Sequence, residues 1–394
     1  MRYLLLCSLL PLLCRAEDSF TSKGFNHYYN LEYDQAIADF EHAAEADPNA
    51  PDPHNHIAQA ILYREMFRNG ALESELVSGN NSFLRRPKME TTPQTQKKFD
   101  SEIQKAMSLS QKRIDANPKD TGALYASGVA YGLRSNYNFL VRKAWKDALN
   151  DATTARKLHN RVTEIDPANY DARLVQGVHD YVVGSLPWTY KSLGFLFGFR
   201  GDKEQGLRTL EEVARKGKFN KVDAEVLLCA LYRREGRFKL ALPLLDDVLK
   251  RYPRDFLLRF EQAQMYSALG DKKSALEAMS KVADLKRAAA PGYANIPWEK
   301  IYYETGNISF WYKDYDRALR DLQMVTASPK ELDLNTGVLA FMRQGQVYDL
   351  TNRHDLAVEA YKKAIAFAPE AEAAKESRRY ISSPYRGEKR NSQG

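Results

Sequence analysis

Three stretches of this chain repeat one pattern at long intervals: YDQAIADFEHAAEADP (Tyr33–Pro48), FKLALPLLDDVLKRYP (Phe238–Pro253) and HDLAVEAYKKAIAFAP (His354–Pro369). In each, an alanine (Ala36, Ala241, Ala357) is followed four residues on by a large apolar or aromatic residue (Phe40, Leu245, Tyr361). A small or β-branched residue comes three further, and a proline five after that. Steps of four and three place these side chains on one face of a helix. Proline cannot extend the hydrogen-bond ladder, so Pro48, Pro253 and Pro369 end it. Twelve residues before each alanine stands another small residue: Gly24, Cys229 and Gly345. Two small positions facing each other let two helices approach closely, with the large residue filling the space beside them.

This arrangement resembles the tetratricopeptide repeat (TPR), a helix-turn-helix unit of about 34 residues that buries its apolar face by stacking on copies of itself. Ala241 and Ala275 are 34 residues apart, while Ala318 and Ala357 follow at 43 and 39 and imply insertions. The N-terminal half is looser. GALYASGVAYGL, with Gly128 and Tyr131, and ARLVQGVHDYVV, with Gly177, read as first (A) helices of further units. Pro118 and Pro167 read as exits from second (B) helices. No stretch sustains the alternation of a strand. The expected fold class is all-α, a TPR-like α-α superhelical solenoid of about eight helix pairs. N-terminal TPR-like helices are expected over 17–68, an irregular insertion over 69–98, and degenerate units over 99–220. C-terminal units are expected over 221–369, then a capping helix and basic tail over 370–394.

The first sixteen residues, MRYLLLCSLLPLLCRA, read as a signal peptide cut after Ala16, with Arg2 ahead of an apolar run too short to span a bilayer. The expected localisation is periplasmic or secreted. Lipidation at Cys14 would want a small residue before it, and Leu13 stands there. The cut leaves Cys229 as the one cysteine, so no internal disulfide can staple the mature chain. The formal charge of +7 over 394 residues does not point to nucleic acid. The tail RRYISSPYRGEKRNSQG reads as a solvated, basic end.

One segment departs from the even spread of charge: Tyr181–Phe199 carries only Lys191. With LGFLFGFRGDKEQGLRTL after it, this stretch is similar to one in the inclusion-body-clearance, TPR-39-like family. The matching positions are Leu186, Pro187, Leu193, Gly194, Phe195, Gly198, Phe199, Gly201, Asp202, Gly206, Leu207 and Leu210. The resemblance implies the TPR fold, and with it an association of some members with the mitochondrial outer membrane and lipid droplets. The apparent leader and the 69–98 insertion depart from that family. Trp188, Phe195, Phe197 and Phe199 are thus candidates for packing inside the superhelix, for lining a ligand pocket, or for a lipid contact. Packing is favoured, because broken backbone is poor material inside a bilayer.

The TPR resemblance also implies a concave groove lined by positions 2, 5, 9, 12 and 13 of each A helix. Position 5 gives Tyr125, Phe260, Tyr303 and Met342, and position 9 gives an amide series, Gln264, Asn307 and Gln346. Positions 12 and 13 add Tyr181, Arg233, Phe310 and Trp311. Aromatic pockets and side-chain amides suit an extended protein or peptide partner. The competing reading is that these aromatics pack on one another and close the groove. His54 and His56, two residues apart, lack a third ligand nearby, so no metal is expected. No phosphate loop, nucleophile elbow or metalloprotease motif is present, and neither a cofactor nor catalysis is expected. The expected role is an exported scaffold, non-catalytic, with a membrane- or lipid-associated organiser as the alternative.

Overall fold

The structure is a computed structural model and describes residues 14–72, 88–186, 201–327 and 334–387. Among the described residues every regular element is a helix. In chain order these are α1 (Cys14–Tyr28), α2 (Tyr33–Ala46), α3 (Asp52–Arg68), α4 (Pro93–Ala116), α5 (Thr121–Tyr137) and α6 (Trp145–Ile165), with a π-helical turn at Asn138–Arg142. There follow α7 (Arg173–Gly184), α8 (Lys203–Lys216), α9 (Lys221–Arg234), α10 (Phe238–Arg251), α11 (Phe256–Ala268) and α12 (Lys272–Arg287). The last five are α13 (Trp298–Trp311), α14 (Tyr315–Thr326), α15 (Leu334–Leu350), α16 (His354–Phe367) and α17 (Glu372–Ser382). Successive A and B helices pair, α1 with α2 through α7 with α8 and α11 with α12 through α15 with α16, and α17 packs on α16. The architecture is all-α and TPR-like, as the repeat spacing predicts.

Two compact units divide the chain. Residues 1–234 with 250–253 form the first, and 235–249 with 254–394 the second. Within both, the small positions act as notches. Ala36, Ala241, Ala275, Ala318 and Ala357 are all 0% exposed. A Cβ on Gly24 would come within 2.4 Å of the Phe40 ring, and one on Gly345 within 2.4 Å of the Tyr361 ring. The large residue four after the B-helix alanine is thus a knob seated on the bare backbone of the A helix. Burying such a side chain contributes on the order of 1.5–3 kcal/mol. Helix starts are set by short polar caps: Thr92 accepts from Thr95 N–H, Asp120 from Ala123, Asp202 from Gln205 and Asp271 from Ser274.

In the first unit, Phe99 of α4 stacks on Tyr137 of α5 with ring centroids 4.0 Å apart. Arg134 of α5 grips Asp151 of α6 through two hydrogen bonds of 2.7 and 2.9 Å, and Asn138 donates to the same carboxylate. The end of the expected 69–98 insertion is anchored: Met89 N–H donates to the Leu140 carbonyl, and Asn69 and Glu90 exchange two hydrogen bonds. Helix α4 begins at Pro93, so the last residues of that span are helical. Of the expected leader, only Cys14, Arg15 and Ala16 are described, in the first turn of α1.

The end of α7 and the start of α8, which flank the apolar segment, meet at one pinched spot. A Cβ on Gly184 would lie 2.2 Å from the Lys203 nitrogen, and one on Gly206 only 2.4 Å from that of Tyr181. Helices α7 and α8 therefore touch backbone to backbone. Trp188, Phe195, Phe197 and Phe199 lie outside the described residues.

The expectation of a solvated tail fails at two residues: Ser382, Ser383, Pro384, Arg386 and Gly387 are exposed, but Tyr380 and Tyr385 are not. Tyr380 and Tyr385 are buried in the second unit, and Tyr385 N–H donates to Asp349 at 2.8 Å. The Tyr361 hydroxyl donates to the same oxygen at 2.8 Å, and His354 Nδ1 lies 2.6 Å from the other. A buried carboxylate gathering three partners holds the tail down, and its bond to His354 raises that histidine's pKa.

These contacts set opposite expectations for two glycines. Gly206→Ala pushes a methyl into the α7 backbone and is expected to cost about 1–3 kcal/mol, lowering the urea midpoint. Gly132→Ala, whose Cβ meets nothing closer than Ala155 at 4.0 Å, is expected to raise it through a gain of about 0.5–1 kcal/mol. Equal midpoints for the two variants would contradict this account of the pinch.

Candidate functional site

The A-helix positions named from the sequence fall into two groups. In the second unit, Phe260, Tyr303, Phe310, Met342 and Gln346 are buried. Tyr385 explains part of this, its ring 6.2 Å from Phe310. The Arg343 guanidinium lies 4.3 Å from the centre of the Phe310 ring and 5.0 Å from that of Trp311, which stays half-buried. The amide series is engaged internally. Gln264 donates to Glu304 at 3.1 Å, and Arg343 donates to Gln346 at 2.8 Å. Asn307 keeps a buried side-chain oxygen without a hydrogen bond. The aromatics around Phe310 pack on one another.

The first unit is different. Tyr181 is buried, 1% exposed, with the Arg234 guanidinium 6.0 Å from its ring centre, and Arg233 is half-buried beside it in α9. Tyr125 of α5 is half-buried, its ring edge-on to His159 at 5.1 Å and its hydroxyl accepting from Asn220 at 2.8 Å. Around it the inner faces of the A helices carry further tyrosines. Tyr28 and Tyr29 come from α1, Tyr63 from α3, and Tyr252 from the turn after α10. Tyr28 packs 5.0 Å from Tyr29 and 5.3 Å from Tyr63, and Tyr29 packs 4.9 Å from Tyr252. Gln59 donates to the Tyr28 hydroxyl at 3.2 Å.

Among these rings sits Asp223, in the first turn of α9. Its charge raises the pKa values of Tyr28, Tyr29, Tyr63, Tyr125 and Tyr252, in each case adding to the effect of burial. Tyr63 is pushed up to about 12. Burial also drives the carboxyl of Asp223 itself upward; the Tyr29 hydroxyl opposes that, the charge of Asp171 adds to it, and the result is about 6. Among the described residues no lysine or arginine pairs with this carboxyl. Arg251, beside Tyr252, is bound to Glu225. The Tyr29 hydroxyl is sealed from solvent and meets no partner at normal hydrogen-bond distance; Asp223 is the group it faces. Asp223, Tyr63 and Tyr252 all remain half-buried.

Asp223 and Asp171 are residues the sequence reading passes over, although the signal for them is there. They stand three residues before Val226 and Leu174, which are at position 5 of their repeats, and so at position 2, the first of the groove positions. Asp171 has a structural task, accepting the backbone N–H groups of Lys218, Phe219 and Asn220 at 2.9–3.1 Å and so fixing the entry to α9. The two histidines of PDPHNHIAQ separate. His54 lies 2.6 Å from Glu102, while His56 packs edge-on to Phe25, and burial lowers its pKa to about 4. Burial disfavours the charge of Glu102, yet its hydrogen bonds with His54 and Lys105 outweigh that and hold its pKa low. No group of three or more metal-ligating side chains occurs among the described residues.

Stacked helix pairs with small-residue notches define a TPR protein, a class of scaffold for protein interaction. Comparison with known proteins agrees. Residues 172–326 match the family described as Iml2/Tetratricopeptide repeat protein 39, and residues 339–370 match a tetratricopeptide repeat. The chain is thus a tetratricopeptide-repeat protein that resembles the Iml2/TPR-39 family over residues 172–326. No curated protein matches the sequence. Among solved structures, the Cut9–Hcn1 hetero-tetramer of the APC/C is similar with a TM-score of 0.50 and 15% identity, over 94% of this chain and 56% of that one. This chain therefore spans little more than half of that neighbour's length. Yeast Tom70 (TM-score 0.38, 12% identity, 94% of this chain and 96% of that chain) and a human IFIT1 dimer with PPP-AAAA (0.42, 13%, 92% and 83%) are more distant. At these identities the likeness concerns the fold.

The environment of Asp223 has a measurable consequence. Its folded pKa of about 6 lies above the ordinary 3.8, so folding favours the protonated form. Stability is therefore lost as pH rises from about 4 to about 6, and the loss persists above that. Asp223→Asn is expected to stabilise the protein at pH 8 by up to about 3 kcal/mol and to have little effect below pH 4. Urea denaturation at the two pH values tests this, and a variant less stable at pH 8 would refute it.

Proposed function

We propose that this protein is an exported, non-catalytic scaffold that receives an extended segment of a partner protein along the inner faces of its N-terminal A helices. One observation carries the reading. Four tyrosines from different elements, Tyr29, Tyr63, Tyr125 and Tyr252, stay half-buried around a polar centre, where a folding core would be dry and apolar. Tyrosine supplies large contact area at low entropic cost and is enriched where proteins meet. The preformed helix stack adds little ordering penalty of its own. Export rests on the leader over residues 1–16, which places the partner in the periplasm or outside the cell.

The aromatics on which the lipid-organiser alternative rests, Trp188, Phe195, Phe197 and Phe199, and two of its basic residues, Lys389 and Arg390, lie outside the described residues. Tyr181 is packed inside, and residues 380–387 are held in the second unit by Asp349 and neighbouring tyrosines. No helix among the described residues is long and apolar enough to cross a membrane.

Selection of displayed random peptides on the purified chain tests the scaffold reading. Enriched peptides are expected to bind Tyr63→Ala and Val226→Gln variants on the order of tenfold more weakly, with circular dichroism unchanged. A selection that enriches nothing, or peptides indifferent to both substitutions, would overturn it. A reporter fused to residues 1–16 that stays in the cytoplasm would remove the exported part.

A further inference from the structure

The residues that follow α17 are unlike the rest of the stack. Ser383 is extended, with φ −137° and ψ 93°, as the proline after it favours, and Pro384 keeps the chain from resuming a helix. Ser382, Ser383, Pro384, Arg386 and Gly387 are exposed, while Tyr385 in their midst is only 6% exposed. One enclosed aromatic side chain within an exposed, non-helical run of backbone is the anatomy of a bound peptide held by a single anchor.

The stack itself supplies what receives the anchor. Phe310 and Asp349 stand seven residues after Tyr303 and Met342, so they hold equivalent places on α13 and α15. The Tyr385 ring lies 6.2 Å from that of Phe310 and packs edge-on to Tyr380 of α17 at 5.3 Å. Its backbone N–H donates to one oxygen of Asp349 at 2.8 Å. The Asp349 side chain is 0% exposed, and its contacts with His354 (2.6 Å) and the Tyr361 hydroxyl (2.8 Å) do not involve the tail. The acceptor is therefore aimed before any segment arrives, which spares an ordering penalty. Beyond the anchor, Gly387 turns at φ +88°, where a Cβ would lie 3.7 Å from Leu350, the residue after Asp349. Neither main contact uses a feature peculiar to this tail. Any extended segment offers an N–H to the carboxylate, and an aromatic residue offers a ring to Phe310 and Tyr380.

We propose that the second unit carries a binding site for an extended segment of a partner protein anchored by an aromatic residue, and that Tyr385 fills this site in cis until such a segment displaces it. The site belongs to the second unit alone and does not depend on the reading of the first unit's tyrosines. Tethering gives the tail an effective concentration on the order of millimolar. The tail thus sets a threshold: it screens out weak ligands and yields to a segment that adds contacts of its own along α13 and α15.

The test uses the full chain and the peptide SSPYRG, the sequence of residues 382–387, with SSPARG as control. In the first arm 3-fluorotyrosine is placed at position 385 alone, and its fluorine signal is followed as unlabelled peptide is added in excess. SSPYRG is expected to move the signal, saturably, to that of a fluorotyrosine free in solution, and SSPARG to leave it in place. In the second arm fluorescein-labelled SSPYRG is bound to the wild-type chain and to Tyr385→Ala. The variant is expected to bind on the order of tenfold more tightly, because the tethered competitor is gone. Adding Asp349→Asn should reverse most of that gain. Circular dichroism checks the variants, and should they unfold, the fluorine arm decides alone. A signal that SSPYRG cannot move, or that SSPARG moves equally, refutes the site, as does equal affinity of wild type and Tyr385→Ala. A dimer that Tyr385→Ala abolishes would overturn the assignment to a foreign partner, since the tail would then fill the site of a second copy.

Discussion

The helix pairs of this protein turn on a notch: a position where one helix has little or no side chain, so that a large residue of its partner can seat against bare backbone. Gly24 beneath Phe40 and Gly345 beneath Tyr361 show the contact in its simplest form. Gly206 against Tyr181 shows its limit, where backbones themselves touch and a single methyl has no room. Because close packing falls off steeply with distance, the notch fixes the spacing of each pair, and the spacing fixes which residues face inward. The inner surface is therefore a consequence of contacts made on the opposite side of the A helices.

The two units use that geometry differently. In the second unit, knobs, tail and aromatic positions all fold onto one another; Tyr385 sits by Phe310, and Arg343 covers both Phe310 and Trp311. In the first, the corresponding faces end in half-buried tyrosines around an acid without a counter-ion. Natural folds give up stability at places where a function uses the strain. Three aspartates illustrate the difference: Asp171 and Asp349 gather several hydrogen-bond donors, whereas half-buried Asp223 has the Tyr29 hydroxyl before it.

The fold was legible because its determinants are local. Alanine, knob and proline recur within sixteen residues, and their spacing is that of a helix. The site was less so. Position counting reached Tyr125, which lies in the tyrosine cluster, and the same count carried to the second position would have reached Asp223. Counting could not show that Gln264 is taken by Glu304, forty residues on, or that Tyr385 returns to Asp349, thirty-six residues back. Such partners meet only through the stacking of units. The basic character of the tail spoke for solvent, but two tyrosines and one buried carboxylate outweighed it. Tyr252, which joins Tyr29 across more than two hundred residues, left no local trace at all.

The pinch between α7 and α8 has a bearing on how this chain can change over time. Gly184, Gly201 and Gly206 let the end of α7 and the start of α8 meet backbone to backbone, so both ends of the intervening segment are fixed to the stack. The entropic penalty of closing a loop grows only with the logarithm of its length. Segments of different size and character can be exchanged between the same two anchor points without shifting the register of the helices. The scaffold thus carries a cassette, and selection can rewrite its contents while the three glycines stay in place.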